Sequence, residues 1–319
     1  GLYHLKNQQW DYEILDMLGI TRDKLPEIVS PYEIESGLSL DDAQKMNIPP
    51  DTPFIWGAAD GPMSNLGVNA MQPGVSALTI GTSDAIRVMT DQPLVDEKAR
   101  TFTYALDETH WVVGGATNSG ASVLAWLKEQ VFDDKLTLEE MTTMAEKVPP
   151  GSRGLIFHPY LGGERAPIWD ATATGAFFGL GYEHGQAEMT HAVIEGITYN
   201  IHAIAHALEE VVGEIKSVQA TGGFVNSGLW LQILADIFEM PIHIPESQEA
   251  GCLGAMILSQ KALGVISDID EVGKQVTAIA VYTPLLEHFS TYRELDKLYT
   301  ELLTHYQTTY GKLSAFKRR

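Results

Sequence analysis

The chain has one cysteine in 319 residues, no long apolar run, and half as many basic residues as acidic ones, 21 Lys and Arg against 42 Asp and Glu. Each scarcity excludes something. A single thiol, Cys252, cannot form an internal disulfide and fits a reducing compartment. Set among Gly251, Leu253, Gly254 and Ala255, it reads as a small residue buried at a helix start, and no His or other base stands near it in sequence to make it a catalytic thiol. No segment approaches the ~18 consecutive apolar residues of a membrane span, so no membrane partner is expected. The formal charge of -21 repels a phosphate backbone, and only the tail Lys317, Arg318 and Arg319 is locally basic, so nucleic acid is excluded as the expected partner. A nucleotide is still allowed, because a few N–H groups and a metal ion hold phosphates whatever the global charge.

Familiar signals are missing too. Residues 1–10 have no apolar core, so a leader peptide is not indicated and the cytoplasm is the expected compartment. The chain lacks an initiator Met and begins GLYHLKNQQWD, which reads as the middle of a longer protein. There is no repeat with a period of about 20–50 residues. No Walker A loop occurs, since Gly311-Lys312 is followed by Leu313, and no G-x-G-x-x-G follows a strand, which removes P-loop and Rossmann readings.

What is present is an ordinary globular composition, 45% hydrophobic and 20% charged, in a length sufficient for two domains or one large one. Residues 1–56 alternate two short helical pieces, at 11–18 and 39–46, with five prolines, a pattern of connecting segments at the end of a domain. Period-two runs predict strands at 75–80, 101–106 and 110–115. A helix is predicted over 121–132 with Ser119 as N-cap, then a buried strand at 154–160 and an irregular loop at 161–170. From 188 to 212 apolar residues recur at threes and fours, predicting a helix with one core face. Strand 217–223, helix 228–238, strand 241–245 and helix 251–263 follow in alternation, and an amphipathic helix at 292–310, with a stripe from Leu295 to Tyr306, closes an α/β chain.

Three glycine turns stand at strand ends: Gly81-Thr82-Ser83, Gly114-Gly115 with Gly120, and Gly222-Gly223. Each is compatible with a tight turn alone or with a backbone cradle for a nucleotide, and three together favour the cradle. Asp60, before Gly61-Pro62, is compatible with a turn residue or with a base for phosphoryl transfer. His202 and His206 lie one helical turn apart without the Glu of H-E-x-x-H or a placed third ligand, and read as surface or packing residues; no metal site is assigned.

The stretch TGAFFGLGYEHGQAEMTHAVIE at 174–195 carries the resemblance. Gly175, Phe177, Gly179 and Leu180, then Glu188, Met189, Ala192, Val193, Ile194 and Glu195, resemble the second signature of the FGGY carbohydrate kinases. That resemblance implies an α/β, actin/hexokinase-like (ribonuclease H-like) C-terminal domain at 72–319, and a remnant of a second such domain at 1–71. It further implies ATP and Mg²⁺ as cofactors, with the metal held mainly by phosphates and water. Asp60, within GAADGPMSNLGV, falls on the position of the catalytic base and so at the sugar. Gly81 and Thr82 match a phosphate-binding turn, Gly120 a glycine beside the phosphates, and Gly222, Gly223 and Ser227 the adenosine motif.

Within the family, YLGGERAPIWD at 160–170, the Ala-Ile-Arg after Gly81-Thr82 and AVIEGITYNIHAI at 192–204 are most similar to the gluconate kinases, implying phosphorylation of D-gluconate to 6-phospho-D-gluconate. Gly163-Glu164-Arg165 is shared with pentulose kinases, so a xylulose kinase is the alternative. Arg87 is compatible with a bidentate contact to the sugar-acid carboxylate and with a solvated arginine at a strand end. The small-molecule partners implied are the sugar and ATP, and a homodimer stays open as the assembly. The family's first strand and Asp-x-Gly-Thr loop are not found in residues 1–56. That departure keeps a reading of another class open, a non-catalytic module that binds nucleotide or sugar.

Overall fold

The protein is described by a computed structural model covering residues 1–247, 249–274 and 276–317; Arg318 and Arg319, in the basic tail, lie outside them. The first part of the chain is a run of small pieces: β1 (Tyr3–His4), β2 (Gln9–Trp10), α1 (Tyr12–Leu18), β3 (Ile34–Glu35), α2 (Leu40–Met46) and β4 (Phe54–Ile55). Their starts follow from local chemistry, since Asp11 accepts from Ile14 N–H and Ser39 from Asp42 N–H as N-caps. α3 (Asp60–Gly67) then leads into the main sheet through β5 (Val75–Ile80), β6 (Asp84–Thr90), β7 (Phe102–Ala105) and β8 (Trp111–Thr117).

Next come α4 (Ala121–Trp126), α5 (Leu138–Ala145), the short hairpin of β9 (Ile156–His158) and β10 (Ala176–Phe178), and the long α6 (Gln186–Val212). The chain finishes with β11 (Ser217–Thr221), α7 (Gly228–Phe238), β12 (Ile242–Pro245), α8 (Ala250–Ala262), β13 (Ala278–Tyr282) and α9 (Phe289–Lys317).

Seven strands make one sheet in the order β13-β12-β11-β5-β6-β8-β7. β5, β11 and β12 are parallel, β6, β8 and β7 follow in that order as antiparallel neighbours on one side of β5, and β13 is antiparallel to β12. Hairpin strands on one flank and helical crossovers on the other give the ribonuclease H-like topology expected.

Alternation along each strand sends side chains to two different cores. Leu78, Ile80, Ile86, Val88 and Val113 join α6, α7 and α9 in the large core, whereas Met89 and Val112 join Leu66 of α3 and Ile257 and Leu258 of α8 on the opposite face. Among the described residues, no helix is long and apolar enough to cross a membrane.

Four expectations are corrected. α6 is not one-sided: every residue from Thr190 to Ile201 is buried, because β9, α5 and α7 cover what would have been its solvent face. Gly120, not Ser119, precedes α4, and Ser119 turns its hydroxyl to Glu164 at 2.7 Å. Cys252 is exposed, since α8 buries Gly254, Ile257 and Leu258 instead. In α9, Tyr292, Leu295 and Tyr299 are buried, but Leu298 and Tyr306 of the expected stripe are exposed.

α3 and α8 cross at backbone distance. A Cβ built on Gly67 would stand 1.9 Å from the Ala250 carbonyl oxygen, and one on Gly254 would stand 1.9 Å from the Met63 carbonyl oxygen. Backbone cannot swing aside as a flexible side chain does, so any larger residue separates the helices. Gly254→Ala is therefore expected to lower stability by about 1–3 kcal/mol, read as an earlier midpoint in thermal or urea denaturation. An unchanged midpoint would mean that the two helices do not approach this closely.

Candidate functional site

Of the predicted glycine positions, Gly81, Gly120 and Gly222 gather at one end of the sheet, whereas Gly114 and Gly115, expected in a turn, lie inside β8, paired with Arg87 and Ile86 of β6. β5 and β11 run parallel and in register, with Thr79 opposite Thr221, so their C-terminal ends open side by side. Ends of this kind, beside a change in strand direction, are where α/β sheets leave a crevice for ligands. The hairpin turn Gly81-Thr82-Ser83 leaves β5 there, with Thr82 and Ser83 exposed. α4 begins against this turn: Ala121 N–H donates to the Gly81 carbonyl at 2.8 Å, and Ser122 Oγ donates to the Thr82 carbonyl at 2.7 Å.

Gly120 must be glycine for this contact, since a Cβ would stand 2.3 Å from Asp84 Oδ1 and 2.6 Å from the Gly81 carbonyl oxygen. Gly222, with φ of 105°, lies against the end of β5, where a Cβ would meet the Ile80 carbonyl oxygen at 2.3 Å. Thus Gly81, Thr82, Gly120 and Gly222 converge. Gly223 faces open space, and Ser227 caps α7 by accepting from Trp230 N–H at 3.3 Å. Ser227 thus has a structural duty whatever else it binds.

Asp60 and Arg87 meet on the α3 face of the sheet. Asp60 is exposed in the first turn of α3, where its Oδ1 accepts from Gly61 N–H at 2.7 Å. Arg87 shares the alternation of Met89 and so points to the same face. It lies in the middle of β6, not at a strand end. Its stem runs across Gly114, where a Cβ would be 2.9 Å away, and its Nε would stand 3.1 Å from a Cβ on Gly61. Glycines on both sides leave the guanidinium its channel.

Burial lowers the pKa of Arg87, and the Asp60 carboxylate, then Tyr104, act in the opposite sense. Its Nε is buried without a hydrogen-bond partner. A partly buried cation with a free donor, next to an exposed carboxylate, is an arrangement suited to an anionic, hydroxyl-bearing ligand. Asn65 Nδ2 donates to the Arg87 carbonyl at 3.3 Å, tying α3 to β6. From Asp84 at the turn to Arg87 the strand rises three residues, about 10 Å.

On the other face lie two carboxyl groups that sequence reading did not assign to the site. Glu164 is 3% exposed and accepts five hydrogen bonds, from Thr117 Oγ1, Ser119 Oγ, Asn118 N–H, Arg165 N–H and Asn200 Nδ2, at 2.6–2.9 Å. That set joins the 161–170 loop, the end of β8 and α6 around one charge. Asp84 is 2% exposed, and neither of its oxygens has a hydrogen-bond partner. Burial first, then the charge of Glu164, pushes its carboxyl well above the usual carboxylate range. The Gly81 backbone acts in the opposite sense, so the balance at Asp84, beneath the turn, favours the neutral form over the charged one. The signal for both was the placement of an acidic residue inside an otherwise apolar or glycine-rich run.

Known proteins resemble this chain along its whole length. Residues 76–263 match the C-terminal domain of the FGGY family of carbohydrate kinases, and residues 1–67 match its N-terminal domain. A gluconokinase of Bacillus subtilis (strain 168) is 41% identical over all of this chain, which spans 64% of that protein's length. Two structures from Lactobacillus acidophilus, described as a ligand-bound xylulose kinase and as a gluconate kinase, each superpose with a TM-score of 0.93 at 41% identity. Each covers 98% of this chain, which covers 64% and 63% of theirs.

The buried acid under the turn has a pH signature. Its folded-state pKa is raised, so its contribution to stability is full below the unfolded carboxyl's value and is lost as pH rises above it. Asp84→Asn keeps the shape without the ionisation. It is expected to raise Tm by about 2–4 °C at pH 7.5, corresponding to roughly 1 kcal/mol, and to give no gain near pH 3.5. An equal change at both pH values would show that the ionisation of Asp84 is not coupled to folding.

Proposed function

Because the chain belongs to the FGGY family of carbohydrate kinases, we propose that the whole protein moves the γ-phosphoryl group of ATP to the terminal hydroxyl of D-gluconate, giving 6-phospho-D-gluconate and ADP. The observation that carries this reading is the pairing of exposed Asp60 with half-buried Arg87 on one face, a short distance from the glycine turns at the strand ends. Resemblance to the Bacillus gluconokinase supports the choice of sugar acid.

In this reading Asp60 accepts the proton of the attacking hydroxyl as the oxygen–phosphorus bond forms. The backbone around Gly81, Thr82 and Gly120 holds the phosphates, while Gly222, Gly223 and Ser227 border the adenosine. Arg87 takes the sugar-acid carboxylate with its fork of N–H donors. The N-terminal end of α3 places the base where a hydroxyl can approach it from the open side of the sheet. Domain closure over the crevice would exclude water, which otherwise competes for the phosphoryl group.

Mg²⁺ fits the chemistry present: exposed Asp60 offers a hard carboxylate oxygen on the open side of the sheet, and the ion would be held mainly by the phosphates and water. When bound it neutralises charge on the phosphate oxygens. Asp84, closed off below the turn, is not available to it.

Xylulose is the second candidate acceptor, since one of the two equally similar Lactobacillus structures is described as a xylulose kinase. The longest natural form of the protein is expected to release ADP with gluconate in preference to xylulose, ribulose and glycerol; selective turnover of a ketose would replace the sugar. Silence across the panel would favour a non-catalytic binding module. Asp60→Asn is expected to lower kcat by about 10²–10⁴-fold, and an unchanged kcat removes Asp60 as base. Arg87→Ala is expected to raise the KM for gluconate by roughly 10–100-fold with little effect on a neutral sugar. Equal loss on both would end its role as the carboxylate contact.

A further inference from the structure

His202 and His206, one turn apart on α6, gain from the fold the third group that their sequence spacing lacked. α9 crosses α6 there and brings Asp296 within 3.6 Å of His202 Nδ1. One ligand atom from each of the three residues lies within 4.8 Å of the other two. We propose that His202, His206 and Asp296 form a binding site for a borderline divalent cation, with Zn²⁺ as its best fit, that clamps α9 onto α6.

Three observations converge on a cation here. The Nδ1 of His202 is buried without a hydrogen-bond partner, a state that costs free energy unless a proton donor, acceptor or metal meets it. The two imidazoles face each other with ring centroids 4.2 Å apart, as helix spacing of four residues dictates. Glu209 Oε2 stands 3.3 Å from His206 Nδ1, the carboxylate that orients a ligating imidazole and leaves Nε2 for the ion.

Two nitrogens and one carboxylate oxygen suit Zn²⁺ and poorly suit Mg²⁺, which prefers an all-oxygen shell. Tetrahedral coordination at ~2.0–2.1 Å puts ligand atoms roughly 3.3 Å apart. The separation closes by rotation of exposed His206 and partly exposed Asp296. Of the cations lining the same cavity, Arg293 is already paired with Glu239.

The consequence is mechanical. α9 buries Tyr292, Leu295 and Tyr299 against the large core, and a metal bridge to α6 would add a fixed point on that contact. Asp60 and Arg87 lie on the opposite face of the sheet, so the ion has no part in the proposed phosphoryl transfer.

The test uses the longest natural form of the protein, untagged and freed of metal with a chelator, titrated with Zn²⁺ by calorimetry and followed by thermal unfolding with and without the ion. One Zn²⁺ per chain, a rise in Tm on binding, and no competition from excess Mg²⁺ are expected. His206→Ala and Asp296→Asn should each weaken Zn²⁺ binding at least about tenfold and abolish the rise in Tm, while leaving any basal turnover as in the wild type. Cys252→Ser, which removes the exposed thiol, should bind as tightly as the wild type. Absent binding, or wild-type affinity in both helix variants, would overturn the proposal. So would loss of binding only in Cys252→Ser.

Discussion

The contact on which the site's geometry depends is the backbone-distance crossing of α3 and α8 through Gly67 and Gly254. α3 is a poor helix by composition: eight residues, DGPMSNLG, with two glycines and a proline. It persists because Pro62 falls in the first turn, where its missing N–H costs nothing, and because Leu66 and Met63 join Ile257 and Leu258 in the smaller core. With the helix pinned there, Asp60 emerges at its N-terminus above the strand that bears Arg87. A helix held further from the sheet would leave the carboxylate and the guanidinium uncorrelated.

The opposite face of the sheet is organised by charge taken out of water. Glu164 is affordable at 3% exposure because five donors surround it. Those donors come from β8, from the residues entering α4, from the 161–170 loop and from α6, so a single carboxylate ties four separate segments into one scaffold behind the glycine turns. Asp84, next to it and without the donor set that surrounds Glu164, has its carboxyl pushed well above the usual carboxylate range by burial and by the Glu164 charge. Two acids a short distance apart thus do different work because one is supplied with hydrogen bonds and the other is not.

Much of this was legible in the sequence, and the failures have physical causes. The boundaries of β5 and α7 fall where periodicity put them, at 75–80 and 228–238, because their hydrophobic runs are bounded by Gly74 and Gly81 and by Ser227 and the left-handed Glu239. β6 was overlooked because Asp84 and Arg87 interrupt an otherwise apolar run, and those two interruptions are where the structure departs from an ordinary strand. α3 was overlooked because local propensity reads DGPMSNLG as a turn, and only tertiary contact with α8 makes it a helix. The full burial of α6 was not visible from its own residues, since it depends on how many neighbours cover it. The convergence of Gly81, Gly120 and Gly222 was suggested by turn chemistry, but their mutual contact depends on the order of strands in the sheet. Asp296, ninety-four residues from His202 in sequence, could be joined to it by the fold alone.

In the proposed function, the α3 face of this sheet holds the acceptor sugar between Asp60 and Arg87 while the glycine turns hold the nucleotide. The most direct measurement is a crystal structure of the longest natural form of the protein with gluconate and a non-hydrolysable ATP analogue. The terminal hydroxyl is expected within hydrogen-bond distance of the Asp60 carboxylate, the sugar carboxylate on Arg87, and the terminal phosphate at Gly81 and Gly120. Gluconate bound away from Asp60, or a nucleotide that leaves the turns at Gly81, Gly120 and Gly222 untouched, would contradict it.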